Sequence, residues 1–139
     1  SYYYAPLVLH NSAGGQLFVR SSWDDDASWF GYTEGRGQAF SGGTRKDVKP
    51  TTTPVRFGPA VILSAPENLR FVSDLPEAPE DKPTITYVFG LKAGKRYLVE
   101  MDQREMTEET ADTGGILALT LPAGQKVNVR LREAGAKPR

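Results

Sequence analysis

The chain has 139 residues, the length of one ordinary domain, and a fold of that size buries roughly two-thirds of the surface its unfolded form exposes. Seventeen Lys plus Arg match seventeen Asp plus Glu, so no overall field draws it toward nucleic acid or an anionic membrane. With no cysteine and one histidine, it has no disulfides, no thiolate metal site and no cysteine nucleophile, and few routes to zinc or histidine-dyad chemistry. No apolar run approaches the roughly 20 residues of a membrane helix. Residues 1–4 have neither the basic region nor the apolar stretch of a signal peptide, so an exported form would already have lost its leader.

Fourteen Gly and ten Pro punctuate the sequence, and between them lie short runs rich in Val, Ile, Leu, Phe, Tyr and Thr. That spacing predicts an all-β fold. Strands are expected over 7–10, 17–22, 28–33, 38–41, 55–57, 60–64, 69–72, 84–91, 96–102, 116–121 and 126–132, giving an antiparallel β-sandwich of about ten short strands with hairpin connections. Alternation is clearest in the second half. Tyr97, Val99 and Met101 oppose Arg96, Leu98, Glu100 and Asp102, and Val127, Val129 and Leu131 oppose Lys126, Asn128, Arg130 and Arg132. Ile85, Tyr87, Phe89 and Leu91 form a third series against Thr84, Thr86 and Val88, and a period of two excludes a helix.

Two segments echo each other: Leu91-Lys92-Ala93-Gly94-Lys95-Arg96-Tyr97-Leu98-Val99-Glu100 and Leu121-Pro122-Ala123-Gly124-Gln125-Lys126-Val127-Asn128-Val129-Arg130. Both are read as hairpins in which Gly94 and Gly124 adopt positive φ, so shared turn chemistry explains the echo without a repeat. Residues 42–54 and 73–83 are read as loops, and 104–111 as a surface piece tolerating a turn of helix. The tail 133–139 is expected to fray. No linker separates two cores, so residues 1–139 are expected to form one domain.

The densest chemical signal is Arg20-Ser21-Ser22-Trp23-Asp24-Asp25-Asp26-Ala27-Ser28-Trp29-Phe30. Three consecutive carboxylates are the hard oxygen donors that Ca²⁺ requires, yet the EF-hand spacing fails because Trp29 stands where its glycine belongs and Gly35 where its bidentate Glu belongs. The favoured reading is a polar turn in which Arg20 pairs with one Asp; an irregular Ca²⁺ site on Asp24 and Asp26 is the alternative. Trp23, Trp29, Phe30 and Tyr32, with Tyr2, Tyr3 and Tyr4, supply rings on which a sugar stacks its C–H face, although most such rings serve cores. Alternation forbids burying Tyr2–Tyr4 together, so at least one should meet solvent or a partner. His10, beside Leu9, reads as structural, and no Gly-x-Ser-x-Gly, His-Glu-x-x-His or Walker-type motif is present.

Arg20 to Phe30 resembles the Arg-Ser-x-Trp-Asp-x-Asp-Ala-x-Trp stretch that opens the β-rich back half of bacterial heparinase II/III-like polysaccharide lyases. The segments from Gly90 to Glu100, Gly114 to Leu119 and Val127 to Leu131 are similar to that family's closing strands. It implies a β-sandwich appended to, or cut from, a secreted or periplasmic carbohydrate-active enzyme whose helical toroid lies elsewhere. Those lyases continue with a His-x-His-x-x-Asp region; here the matching stretch, Gly35-Arg36-Gly37-Gln38-Ala39-Phe40-Ser41-Gly42-Gly43, has no histidine, so no lyase residue carries over.

The expectation is therefore a non-catalytic accessory domain that braces a catalytic domain of the same protein or contacts a polysaccharide. The glycan-contacting residues would be Trp23, Trp29, Tyr32, Tyr3 and Arg20, and no cofactor is required. Two alternatives remain: a structural or adhesive module pairing its edge strands with another chain, and a small stand-alone lyase using His10, a tyrosine and Arg20.

Overall fold

A computed structural model of the chain describes residues 8–20, 28–33, 36–41, 44–49, 51–57, 59–65, 68–77, 79 and 83–135. These form thirteen strands and no helix: β1 (Val8–Asn11), β2 (Gln16–Arg20), β3 (Trp29–Thr33), β4 (Arg36–Ser41), β5 (Thr44–Val48), β6 (Val55–Phe57), β7 (Ala60–Ser64), β8 (Leu69–Asp74), β9 (Ile85–Phe89), β10 (Arg96–Met101), β11 (Glu105–Thr110), β12 (Leu117–Leu119) and β13 (Lys126–Glu133). The all-β reading holds. Three sheets result: a front meander β1-β2-β3-β4-β5, a middle sheet β12-β9-β7-β6 and a back sheet β11-β10-β13-β8. Among the described strands all pairings are antiparallel except β7 with β9, whose connection crosses to the back sheet through β8 and returns; an isolated bridge, Leu75 to Ala123, is also parallel.

The middle sheet is apolar on both faces, so the sandwich has a third layer. Along β7, Ala60 and Ile62 join the front cluster with Leu17, Val19, Phe30, Tyr32, Tyr87 and Phe89, while Val61 and Leu63 join the back cluster with Phe71, Val88, Tyr97, Val99, Val129 and Leu131. Strands buried on both faces read as continuous apolar runs, which is how Ala60-Val61-Ile62-Leu63 reads. Each fully buried Leu, Val or Phe contributes about 1.5–3 kcal/mol, so a strand serving two cores carries about twice the weight of a half-wet one. The β10 and β13 strands do have one wet face, as their alternation requires. Thr86 sits on the back-cluster side of β9, 1% exposed, and its hydroxyl has no hydrogen-bond partner among the described residues.

Several local expectations are corrected. The two echoing segments are not hairpins: each carries the chain from the middle sheet to the back sheet, β9 to β10 and β12 to β13. Gly94 and Gly124 do adopt positive φ, +72° and +76°, but the reversal they make spans two packed layers. Leu91 and Leu121 bury themselves in the back cluster at the same point of each arch, and this shared packing accounts for the echo. Residues 104–111 are not helical: β11 pairs with β10 over its whole length, and all six of its residues are exposed. The left-handed pair Asp102 and Gln103, φ 51° and 58°, closes that hairpin, and the edge of β10 supplies the hydrogen bonds that fix the strand. The loop expected over 42–54 contains β5, an exposed edge strand bonded to β4, and the loop over 73–83 loses Ser73 and Asp74 to the end of β8.

Candidate functional site: an aromatic face framed by arginines

Core packing on one side of the front sheet fixes what its other side displays. Leu17, Val19, Phe30 and Tyr32 point inward, so Phe18, Arg20, Trp29, Gly31 and Thr33 point out. The pairings Arg20↔Trp29, Trp29↔Phe40 and Phe40↔Arg45 align four side chains in one row across β2, β3, β4 and β5. The Arg20 guanidinium lies 5.3 Å from the centre of the Trp29 ring, and that of Arg45 lies 4.9 Å from Phe40. Both are cation–π distances. Trp29 and Phe40 stand side by side between two cations, 45% and 36% exposed.

The neighbouring row is Leu9, Phe18, Gly31, Gln38 and Asp47. Gly31 leaves a gap in the floor: a Cβ there would meet Phe18 Cε1 at 3.1 Å, so the Phe18 ring already leans over the space. The Gln38 amide donates to Asp47 Oδ1 at 3.3 Å, and Gln16 donates to the Thr33 hydroxyl at 3.3 Å. Together Phe18, Trp29, Gly31, Arg36, Gln38 and Phe40 line an open cleft of about 900 Å³. Its walls are aromatic, Arg36 lines it, Arg20 and Arg45 flank its Trp29 and Phe40 rings, and the acid in these rows, Asp47, is engaged by Gln38. Flat apolar rings with guanidinium forks at the edge suit a ligand with an apolar face and carboxylate or sulfate substituents.

Of the residues expected from sequence, Trp29 and Arg20 are brought together on this face. Tyr32 is not. It is buried at 5%, stacked on Phe89 with ring centres 4.2 Å apart, so it serves the front core and presents nothing to a ligand. Tyr3, Trp23, Asp24 and Asp26, with the rest of the Tyr2–Tyr4 run, lie outside the described residues. Among the described residues no three His, Asp or Glu side chains gather as metal ligands. Phe18, Phe40, Arg36 and Arg45 were missed by sequence reasoning.

His10 has a partner 102 positions away: its Nε2 lies 2.8 Å from Asp112 Oδ2, and its ring meets Tyr87 edge-on at 5.5 Å. The Asp112 side chain, 4% exposed, also accepts the Gly114 and Ile116 backbone N–H groups through Oδ1, both at 2.8 Å. The Thr113 hydroxyl donates to the Ala13 carbonyl at 2.9 Å, and a Cβ on Gly15 would meet Gly114 N at 2.5 Å. This is a latch closing the β1–β2 turn of the front sheet onto the loop between β11 and β12. Burial pushes the Tyr32 phenol above its ordinary range, with a smaller push from the Asp112 charge, and burial alone does the same to Tyr87.

Compared with protein-family models, curated proteins and solved structures, the chain matches none. Among the described residues no helix is long and apolar enough to cross a membrane.

Proposed function

We propose that this chain is a non-catalytic accessory β-sandwich domain of a secreted or periplasmic carbohydrate-active protein, and that the outer face of its front sheet holds an acidic polysaccharide. The observation that carries this reading is the row Arg20, Trp29, Phe40, Arg45: paired rings, each with a cation at its outer side. A sugar ring laid on Trp29 and Phe40 buries its C–H face, and uronate or sulfate groups reach Arg20, Arg36 or Arg45. The likeness of the Arg20–Phe30 stretch to heparinase II/III-like lyases supports the same class of ligand. Calorimetric titration with polygalacturonate, beside a neutral glucan at matched ionic strength, tests the reading. The acidic polymer should bind and the neutral one should bind at least tenfold more weakly. Trp29→Ala and Phe40→Ala should each cost about tenfold, since about 1.4 kcal/mol corresponds to that factor. Equal binding by wild type and both variants overturns it.

A second reading, a structural module that pairs its edges with another chain, is favoured by β11, an edge strand exposed along all six residues. Concentration-dependent assembly without affinity for either polymer would select it.

A further inference from the structure

The back sheet carries an arrangement that neither the core nor the front face uses. Leu69, Phe71, Val129 and Val99 point inward, so Arg70, Arg130 and Glu100 point outward. Register sets Arg70 directly opposite Arg130, and Arg130 opposite Glu100. Like charges directly across a strand pair are destabilising. Two other charged positions on this sheet meet opposites: Lys126 faces Asp74, and Arg96 lies 3.1 Å from Glu108. Glu100 lies 4.0 Å from Arg130 and is, among the described residues, the one acid lining the depression these residues share, where two guanidiniums face it.

That depression, about 430 Å³, is lined also by Val72, Gln103 and Asn128. Gln103 reaches it from the β10–β11 turn, held at φ 58°, a conformation that residues other than Gly, Asn and Asp rarely adopt. Asn128 directs its backbone N–H to Asp102 Oδ1 at 2.9 Å, which ties the turn to the floor of the depression. Val72, 52% exposed, gives the depression an apolar wall. Two planar guanidinium forks and the Gln103 amide are a donor set that grips a tetrahedral or planar oxyanion, while the Asn128 amide already donates to Asp102 Oδ1 at 3.5 Å.

We propose that the outer face of the back sheet is a second binding site, one that takes a small oxyanion, carboxylate, sulfate or phosphate, between Arg70 and Arg130. The bound anion neutralises the surplus positive charge, and the apolar remainder of its molecule lies against Val72. The site is independent of the front-sheet cleft, from which two inter-sheet spacings, about 20 Å, separate it.

The test is a nuclear magnetic resonance titration of the full chain, reading backbone amides and arginine Nε–H groups, with inorganic phosphate in one arm and glucuronate in the other. Saturable shifts are expected at Arg70, Arg130 and Gln103, with affinity at least tenfold weaker in Arg70→Met and intermediate in Arg70→Lys, which keeps the charge and loses the fork. Response to phosphate alone makes the ligand a free oxyanion, response to glucuronate makes it the acid group of a sugar, and either supports the site. Trp29→Ala should leave these shifts unchanged, so a failed front-sheet reading leaves this result standing. The spectrum itself reports whether each variant folds. Shifts that do not saturate in either arm, or that saturate equally in wild type and Arg70→Met, overturn the proposal.

Discussion

Replacing Asp112 should release the front sheet from the rest of the molecule more than its single carboxyl group implies. The side chain accepts three hydrogen bonds at 2.8 Å, one from His10 and two from the Gly114 and Ile116 backbone. Hydrogen bonds to a charged group contribute about 1.5–3 kcal/mol each when buried. Gly114 is only half-buried and water can replace its bond, so the sum is smaller than three full bonds. Asp112→Ala should therefore cost about 3–5 kcal/mol, a large share of the roughly 5–15 kcal/mol by which a domain is stable. Asp112→Asn keeps an acceptor for both backbone groups and leaves its amide facing the His10 ring, so it should cost about 1–2 kcal/mol. Urea unfolding followed by far-ultraviolet circular dichroism gives both values. The Ile116 amide should also exchange with solvent faster in the alanine variant. A loss under about 1 kcal/mol for Asp112→Ala, or equal losses for the two variants, would refute the latch.

Thr86→Val, which removes a buried hydroxyl with no partner among the described residues while keeping its shape, should stabilise the chain by about 1 kcal/mol; a lowered urea midpoint would contradict that. Alkaline titration has a definite sign. Because the folded state holds the Tyr32 and Tyr87 phenols above the ordinary tyrosine value of about 10, the unfolded chain loses those protons first. The stability they contribute is complete below the unfolded value and is lost as pH rises through the folded values. Urea midpoints from pH 9 upward should show the decline, and it should be shallower in Tyr87→Phe; an unchanged slope would count against the burial argument.

The periods of β10 and β13 are legible in the sequence because one face of each is wet and the contrast survives in the residues. Sheet membership is not. Leu-x-Ala-Gly provides the same positive φ whether the chain folds back beside itself or steps to another layer, and only Leu91 and Leu121 packing into one cluster decides between them. Residues 105–110 lack any apolar residue facing a core, so their strand state comes from the neighbouring β10. In the candidate site, Trp29 and Arg20 are recognisable by type. Tyr32 was separable from Trp29 by strand alternation alone, since positions three apart point to opposite faces. Phe18, Phe40 and Arg45 became site residues only through cross-strand register, which no local pattern encodes.

The front-sheet site is tested most directly by mapping amide and indole shifts of the intact chain as an oligogalacturonate is added. The largest changes should fall on the Trp29 indole, Gly31, Gln38 and Phe40, saturating together. Changes absent from this face at saturating ligand, or equal changes with a neutral oligosaccharide, would contradict it.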